Sequence, residues 1–158
     1  MKKHEYTIHL NWTGNHGTGT SDYRAYGRDH DVSSPLKAVG LALSSDPHFR
    51  GDASRYNPED LLVASLSSCH LLSYLHLCAV NQIVVTAYED DATGTMPEDE
   101  ISARFTEVTL RPRVTITPES DARRAMELHE EAAKLCFIAR SVNFPVHHEP
   151  TVVTGNVN

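Results

Sequence analysis

Cysteine is scarce in this chain: three in 158 residues, at positions 69, 78 and 136. An odd count with no C-x₂₋₄-C pair excludes a disulfide scaffold and leaves no zinc knuckle. Nor does an H-E-x-x-H pattern occur to organise zinc catalysis, and the dipeptide His147-His148 reads as plain surface in a loop. A surplus of positive charge is missing too. The net charge of −7 argues against nucleic acid or an anionic membrane as a partner. No apolar signal segment follows Lys2 and Lys3. The longest apolar run is interrupted by serine and histidine, so no bilayer span is expected. These absences lead to the expectation of a reduced, cytoplasmic setting, where a disulfide is more often catalytic than structural.

What is present is globular. Forty per cent apolar and 22% charged residues suit a folded chain, and 158 residues are enough for a single domain, 1–158, with its own core. "EYTIHLNW" (5–12) alternates polar and apolar residues and predicts a strand. "GNHGTGT" (14–20) marks a turn, and "DYRAYGRDHDV" (22–32) reads as a second strand, giving an N-terminal hairpin. Residues 33–56, with Pro35, Pro47, Gly51 and several serines, read as irregular.

At Asn57 the texture changes. Asn57 suits an N-cap, Pro58 suits the first helical position, and Glu59 and Asp60 place acid at the positive helix end. The helix should run to about Asn81 and, being apolar on most sides, should be buried. "QIVVTAYEDDATGT" (82–95) and "RFTEVTLRPRVTI" (104–116) are β-rich and should pair around "MPEDE". Thr117-Pro118 opens a second helix through "ESDARRAMELHEEAAKLCF", and "EPTVVTG" (149–155) reads as a last strand. The order β-β-(loop)-α-β-β-α-β indicates an α+β fold.

The cysteines separate by geometry. Cys78 follows Cys69 by nine residues, which at about 100° per residue turns it to the opposite side of the helix. Cys78 therefore reads as a small buried hydrophobe. Cys69 shares its face with Ser65, Ser73 and His76, and has Ser68 and His70 beside it. That face suits either a reactive thiol or a core cysteine among back-bonded serines. Cys136 stands alone on the second helix, 67 residues after Cys69. Two isolated cysteines can form a reversible disulfide: one thiolate attacks an oxidant and becomes a sulfenic acid, and the other condenses with it. The thiolate needs a nearby cation or helix N-terminus.

The segment "YNPEDLLVASLSSCH" resembles the signature of the OsmC/Ohr family of thiol-dependent peroxidases, which reduce organic hydroperoxides. Asn57, Pro58, Glu59 and Cys69 fit the family spacing, and "EEAAKLC" resembles the segment carrying the family's resolving cysteine, here Cys136. The resemblance covers nearly the whole chain. It implies an OsmC-like fold with a long buried central helix and an intertwined homodimer. Two positions depart from the pattern: Phe137 follows Cys136 where the family usually has proline, and His70 follows Cys69 where better-known members have phenylalanine. The family also uses an arginine to bind the peroxide and stabilise the thiolate. Arg50, in the loop before Asn-Pro-Glu, sits where the OsmC branch carries it. Arg24 and Arg28 stand where the Ohr branch does, and Arg55 is a further candidate.

Glu59 and Cys69 are ten residues apart on one helix, roughly 15 Å along its axis at 1.5 Å per residue. A site using both would take them from different chains, which agrees with the homodimer that the resemblance implies. The resemblance thus implies a peroxidase in oxidative stress defence. Cys69 attacks the peroxide, Arg50 orients it, Glu59 holds the arginine and Cys136 resolves, with no metal, haem or flavin. An external dithiol, lipoyl-type or a small thiol, would supply the electrons. The alternative is a non-catalytic dimer that binds a small apolar ligand. A cysteine hydrolase with His70 or His76 as base fits less well, because both share the helix with Cys69 and no orienting Asn or Asp is identifiable.

Overall fold

The computed structural model describes residues 1–100 and 102–155. They divide into two compact units, Met1–Leu61 and a second beginning at Leu62.

The first unit holds a three-stranded antiparallel sheet of β1 (His9–Trp12), β2 (His30–Ser33) and β3 (Leu41–Leu43), in that order. The N-terminal hairpin is present, but its second strand is far shorter than the sequence suggests. Residues 17–26 are turns and bends instead. Local side chains capture this backbone: Asn15 Oδ1 accepts the N–H groups of Gly17 and Gly19, and Asp22 Oδ1 accepts that of Arg24. Arg28 reaches back to the carbonyls of Tyr23 and Tyr26. Such bonds compete with a strand ladder. The expectation of wholly irregular chain over 33–56 is also corrected, since β3 pairs Leu41 with Val32 and Leu43 with His30.

A single 3₁₀ turn, Pro47–Phe49, then leads to Arg50, whose φ of 67° lies in the left-handed region. Gly51 follows with its Cα pressed against the Ser45 carbonyl, so a Cβ there would collide with backbone.

The long helix forms where expected, as α1 (Pro58–Val80). Asn57 Oδ1 accepts the Asp60 N–H at 2.8 Å, while Asp60 Oδ2 accepts the Asn57 N–H at 3.1 Å. This reciprocal cap satisfies two backbone donors at the helix start. One stripe of α1 is buried, Leu66, His70, Tyr74 and Cys78, spaced by four residues. Leu72, Leu75 and Val80 stay exposed, so burial of this chain's α1 is narrower than its composition suggests. With 23 residues and a mean hydropathy of 1.5 in its most apolar window, α1 is long and apolar enough to cross a membrane by length and composition. The expectation that no segment reaches that level is corrected. Yet the buried stripe carries histidine and tyrosine, and its neighbours are the core residues of the second unit.

That unit contains two three-stranded sheets. The paired β-rich segments form one long hairpin, broken near Asp91. Its outer part joins β4 (Val85–Asp90) to β7 (Pro112–Ile116), and its inner part joins β5 (Thr93–Thr95) to β6 (Glu107–Leu110). Asp90 secures the break: one oxygen accepts the Ser67 hydroxyl at 2.5 Å and the other the Arg111 N–H at 2.6 Å. The last expected strand is β9 (Thr151–Thr154), and a strand the sequence reading lacks, β8 (Val146–His148), precedes it across Glu149 and Pro150. β8 lies parallel to β6, and β9 to β7.

The second helix, α2 (Ala122–Leu135), starts later than Thr117-Pro118 suggests, because Asp121 supplies the cap by accepting the Arg124 N–H at 3.0 Å. One core cluster joins Tyr74 and Cys78 of α1 to Val114, Ile116, Ala125, Leu128 and Ala132. A second gathers Leu66, Val108 and Leu110. Cys78 is 1% exposed and belongs to the first cluster, as its helical position predicts.

Candidate functional site

The two helices of the second unit run antiparallel along a polar seam. At its far end the Tyr74 hydroxyl donates to the Ala125 carbonyl at 3.0 Å. In the middle, His70 Nε2 and His129 Nδ1 share a hydrogen bond of 3.0 Å. At the near end, Cys69 lies close enough to Cys136 to affect its thiol. All three cysteines are free thiols.

The environments of Cys69 and Cys136 differ. Cys69 is half-buried in the middle of α1, whereas Cys136 is 1% exposed at the C-cap of α2. Burial pushes the Cys136 thiol up to about 11, and the adjoining Cys69 adds to this. The backbone N–H of Ala139, 3.4 Å from Cys136 Sγ, acts in the opposite direction but does not overcome burial. Cys136 is therefore held as a neutral thiol at neutral pH. Of the two sulfurs, Cys69 is the one open to a ligand from outside. Phe137, in place of the usual proline, is 76% exposed and does not keep Cys136 from Cys69. On the Cys69 face, Ser65 is half-buried and donates to the Leu62 carbonyl at 2.8 Å, while His76 is exposed.

The arginines of the first unit are engaged unequally. Arg55 stands among three carboxylates, 3.6 Å from Asp29, 3.8 Å from Asp31 and 3.9 Å from Asp52. The Arg28 guanidinium lies over the rings of Tyr23 and Tyr26, at 4.5 and 4.0 Å from their centroids. Arg50 is exposed. Among the described residues the Arg50 and Arg24 side chains have no hydrogen-bond or ion-pair partner, and neither has the half-buried Glu59.

The histidines are what sequence reasoning missed. His147-His148 lies in β8 rather than in a loop; His147 is exposed as expected, but the half-buried His148 packs its ring 4.4 Å from that of His70. His129, which the sequence reading leaves unremarked, is 1% exposed and stacks on Tyr74 at 3.8 Å. A signal was available, since His129 falls between Ala125 and Ala132 on the apolar face of α2. Burial first, and then the neighbouring His148 and His129, push His70 down to about 3. Burial, then His148, pushes His129 down to about 4. Both rings are thus neutral at neutral pH. Each also keeps one buried ring nitrogen without a partner, His70 Nδ1 and His129 Nε2. No group of three or more metal-ligating side chains is found among the described residues.

The fold recurs in known proteins. A model of the OsmC-like protein family matches residues 51–151. An OsmC-like protein of unknown function from Vibrio cholerae superposes with a TM-score of 0.85 at 28% identity, covering 94% of this chain and 100% of the other. An organic hydroperoxide resistance protein from Legionella pneumophila gives a TM-score of 0.66 at 18% identity, covering 95% and 98% of the two chains. One from Bacillus subtilis gives 0.62 at 20%, covering 92% and 98%. At those two identities the likeness is one of fold. No curated protein matches the chain. With the family model spanning well over half of its length, the chain belongs to the OsmC-like family.

Proposed function

We propose that the protein is a cytoplasmic thiol peroxidase for organic hydroperoxides, working through a Cys69 sulfenic acid and a Cys69–Cys136 disulfide. The observation that carries this reading is the pair of adjoining free thiols, one half-exposed and one buried. The Cys69 thiolate attacks the distal peroxide oxygen, the O–O bond breaks, and the alkoxide leaves as alcohol after taking a proton. Cys69 becomes a sulfenic acid. The Cys136 sulfur then attacks the Cys69 sulfur, water departs, and the disulfide forms. An external dithiol returns both cysteines to thiols by two exchange steps and is itself oxidised to a disulfide. No metal, haem or flavin enters this sequence.

Arg50 is the arginine assigned to orient the peroxide and stabilise the thiolate. It is favoured by its place before Asn57-Pro58-Glu59 and by its unengaged guanidinium, against Arg55 and Arg28, which are held by carboxylates and tyrosines. Glu59 would hold it. Because α1 is one continuous helix, Glu59 and Cys69 of one chain are about 15 Å apart along its axis. The site is therefore assigned to a homodimer, with Glu59 and Cys69 contributed by different chains. The exposed Leu72, Leu75 and Val80 on α1 favour a partner surface there.

The test is alkyl hydroperoxide consumption with a dithiol reductant. Cys69→Ser should abolish it, and Cys78→Ser, which alters only the buried core thiol, should leave it nearly intact. Equal losses in the two variants would count against Cys69. A second reading rests on a groove of about 570 Å³ in the first unit, lined by Tyr6, Ile8, Val32, Leu36 and Val39. It suits a non-catalytic dimer that takes a small apolar ligand, and it predicts no hydroperoxide turnover by the wild-type protein.

A further inference from the structure

A cleft of about 560 Å³ opens between α2 and β8, on residues other than the two thiols. Its volume lies within the range of small-molecule sites. His129 and His148 form its polar lining, Lys134 and His147 add basic groups, and Met126, Val146 and Pro150 are apolar. His129 is 1% exposed, and its Nε2 has no hydrogen-bond partner. A buried polar atom left unsatisfied costs free energy, and a native fold retains one where something else satisfies it.

We propose that this cleft binds a small organic monocarboxylate. One carboxylate oxygen accepts from His129 Nε2–H and the other from the Lys134 ammonium, while the apolar body lies against Met126, Val146 and Pro150. Lys134 sets the sign of the ligand, because an ammonium donates only and prefers an anion. Glu130, exposed at the same cleft, disfavours a doubly charged head group such as phosphate. His147 already faces Glu107 at 3.4 Å and is engaged there.

The His70–His129 bond makes the proposal testable within the core. A neutral imidazole has one donor and one acceptor nitrogen. If His129 Nε2 carries the proton that the carboxylate accepts, His129 Nδ1 must accept from His70 Nε2–H. Ligand binding therefore fixes one tautomer on both rings, including His70 beside Cys69 in sequence. A ligand merely adhering to Lys134 would not reach His70.

Hexanoate serves as the probe, with hexanamide and inorganic phosphate as comparisons. Calorimetry gives affinity, and long-range ¹H–¹⁵N spectra report the ring nitrogens. Hexanoate should bind saturably and place the protons on Nε2 of both His129 and His70. Hexanamide should bind about tenfold more weakly or worse, and so should hexanoate to Lys134→Met, as expected for a lost charged hydrogen bond. Ala133→Phe, which fills the cleft from the half-buried face of α2, should remove binding. Lys134 is exposed, so its variant keeps the test open should a cleft-filling variant fold badly. Equal affinity for hexanoate and hexanamide would overturn the carboxylate head. Tighter binding of phosphate would overturn the monocarboxylate class. No saturable binding, or a bound state in which His70 or His129 carries its proton on Nδ1, would overturn the site.

Discussion

Lowering the pH should destabilise this protein well above the range in which carboxylates titrate, because its core holds neutral histidines. His70 and His129 are 0% and 1% exposed and are pushed down to about 3 and about 4. In the unfolded chain each returns to about 6.5. Below that value the unfolded state binds more protons than the fold, so stability rises with pH across the window from about 4 to 6.5. The contribution is complete above 6.5 and is lost as pH falls towards the folded values. Each such histidine changes stability by about 1.4 kcal/mol per pH unit in that window. Two of them therefore remove on the order of 5 kcal/mol between pH 6.5 and 4.5, a large part of the 5–15 kcal/mol that holds a typical domain.

The groups facing the pair do not reverse this. His148 is itself pushed down, chiefly by burial, although Asp90 pulls it up. The Tyr74 and Tyr88 hydroxyls are pushed up and stay neutral. Urea melts by circular dichroism at fixed protein concentration, from pH 4.5 to 7.5, measure the slope. Replacing both rings, His70→Phe with His129→Leu, should flatten it to what His148 and the surface contribute, without leaving a lone orphaned imidazole behind. A wild-type stability that is level between pH 4.5 and 6.5, or a double variant with the wild-type slope, would refute the buried neutral pair.

Two further predictions concern the proposed chemistry. Arg50→Ala should slow oxidation of Cys69 at neutral pH; if Arg24→Ala or Arg28→Ala behaves this way instead, the arginine comes from the N-terminal hairpin. Refolding inactive Glu59→Ala chains with inactive Cys69→Ser chains should restore about a quarter of wild-type activity, since half of the dimers formed at random are mixed and each carries one complete site; no recovery despite verified mixing would place Glu59 and Cys69 in the same chain.

The parts legible in the sequence are those set by local chemistry. Asn57-Pro58-Glu59-Asp60 announces the start of α1, and the structure closes it with the reciprocal Asn57–Asp60 cap. The β-branched runs on either side of "MPEDE" do pair. Cys78 is buried because its helical angle requires it. The misreadings come from contacts that no short window contains. Leu41–Leu43 becomes a strand only because β2 offers an edge. Residues 17–26 lose theirs to side chains that bond their own turns. His70 and His129 meet across 59 residues of sequence, and histidine ordinarily reads as surface. The adjacency of Cys69 and Cys136 is likewise a tertiary fact, although the motif around each thiol marks both residues as candidates.

The account turns on whether those two thiols work together. The direct measurement is to treat reduced protein with one equivalent of an alkyl hydroperoxide and analyse its peptides by mass spectrometry, in wild type and in Cys136→Ser. The account predicts a 69–136 disulfide in the wild type, with Cys78 still reduced. In Cys136→Ser it predicts a Cys69 sulfenic acid that a dimedone-type probe traps. Wild-type protein that keeps Cys69 and Cys136 reduced while the peroxide persists, or that pairs either cysteine with Cys78, would contradict it.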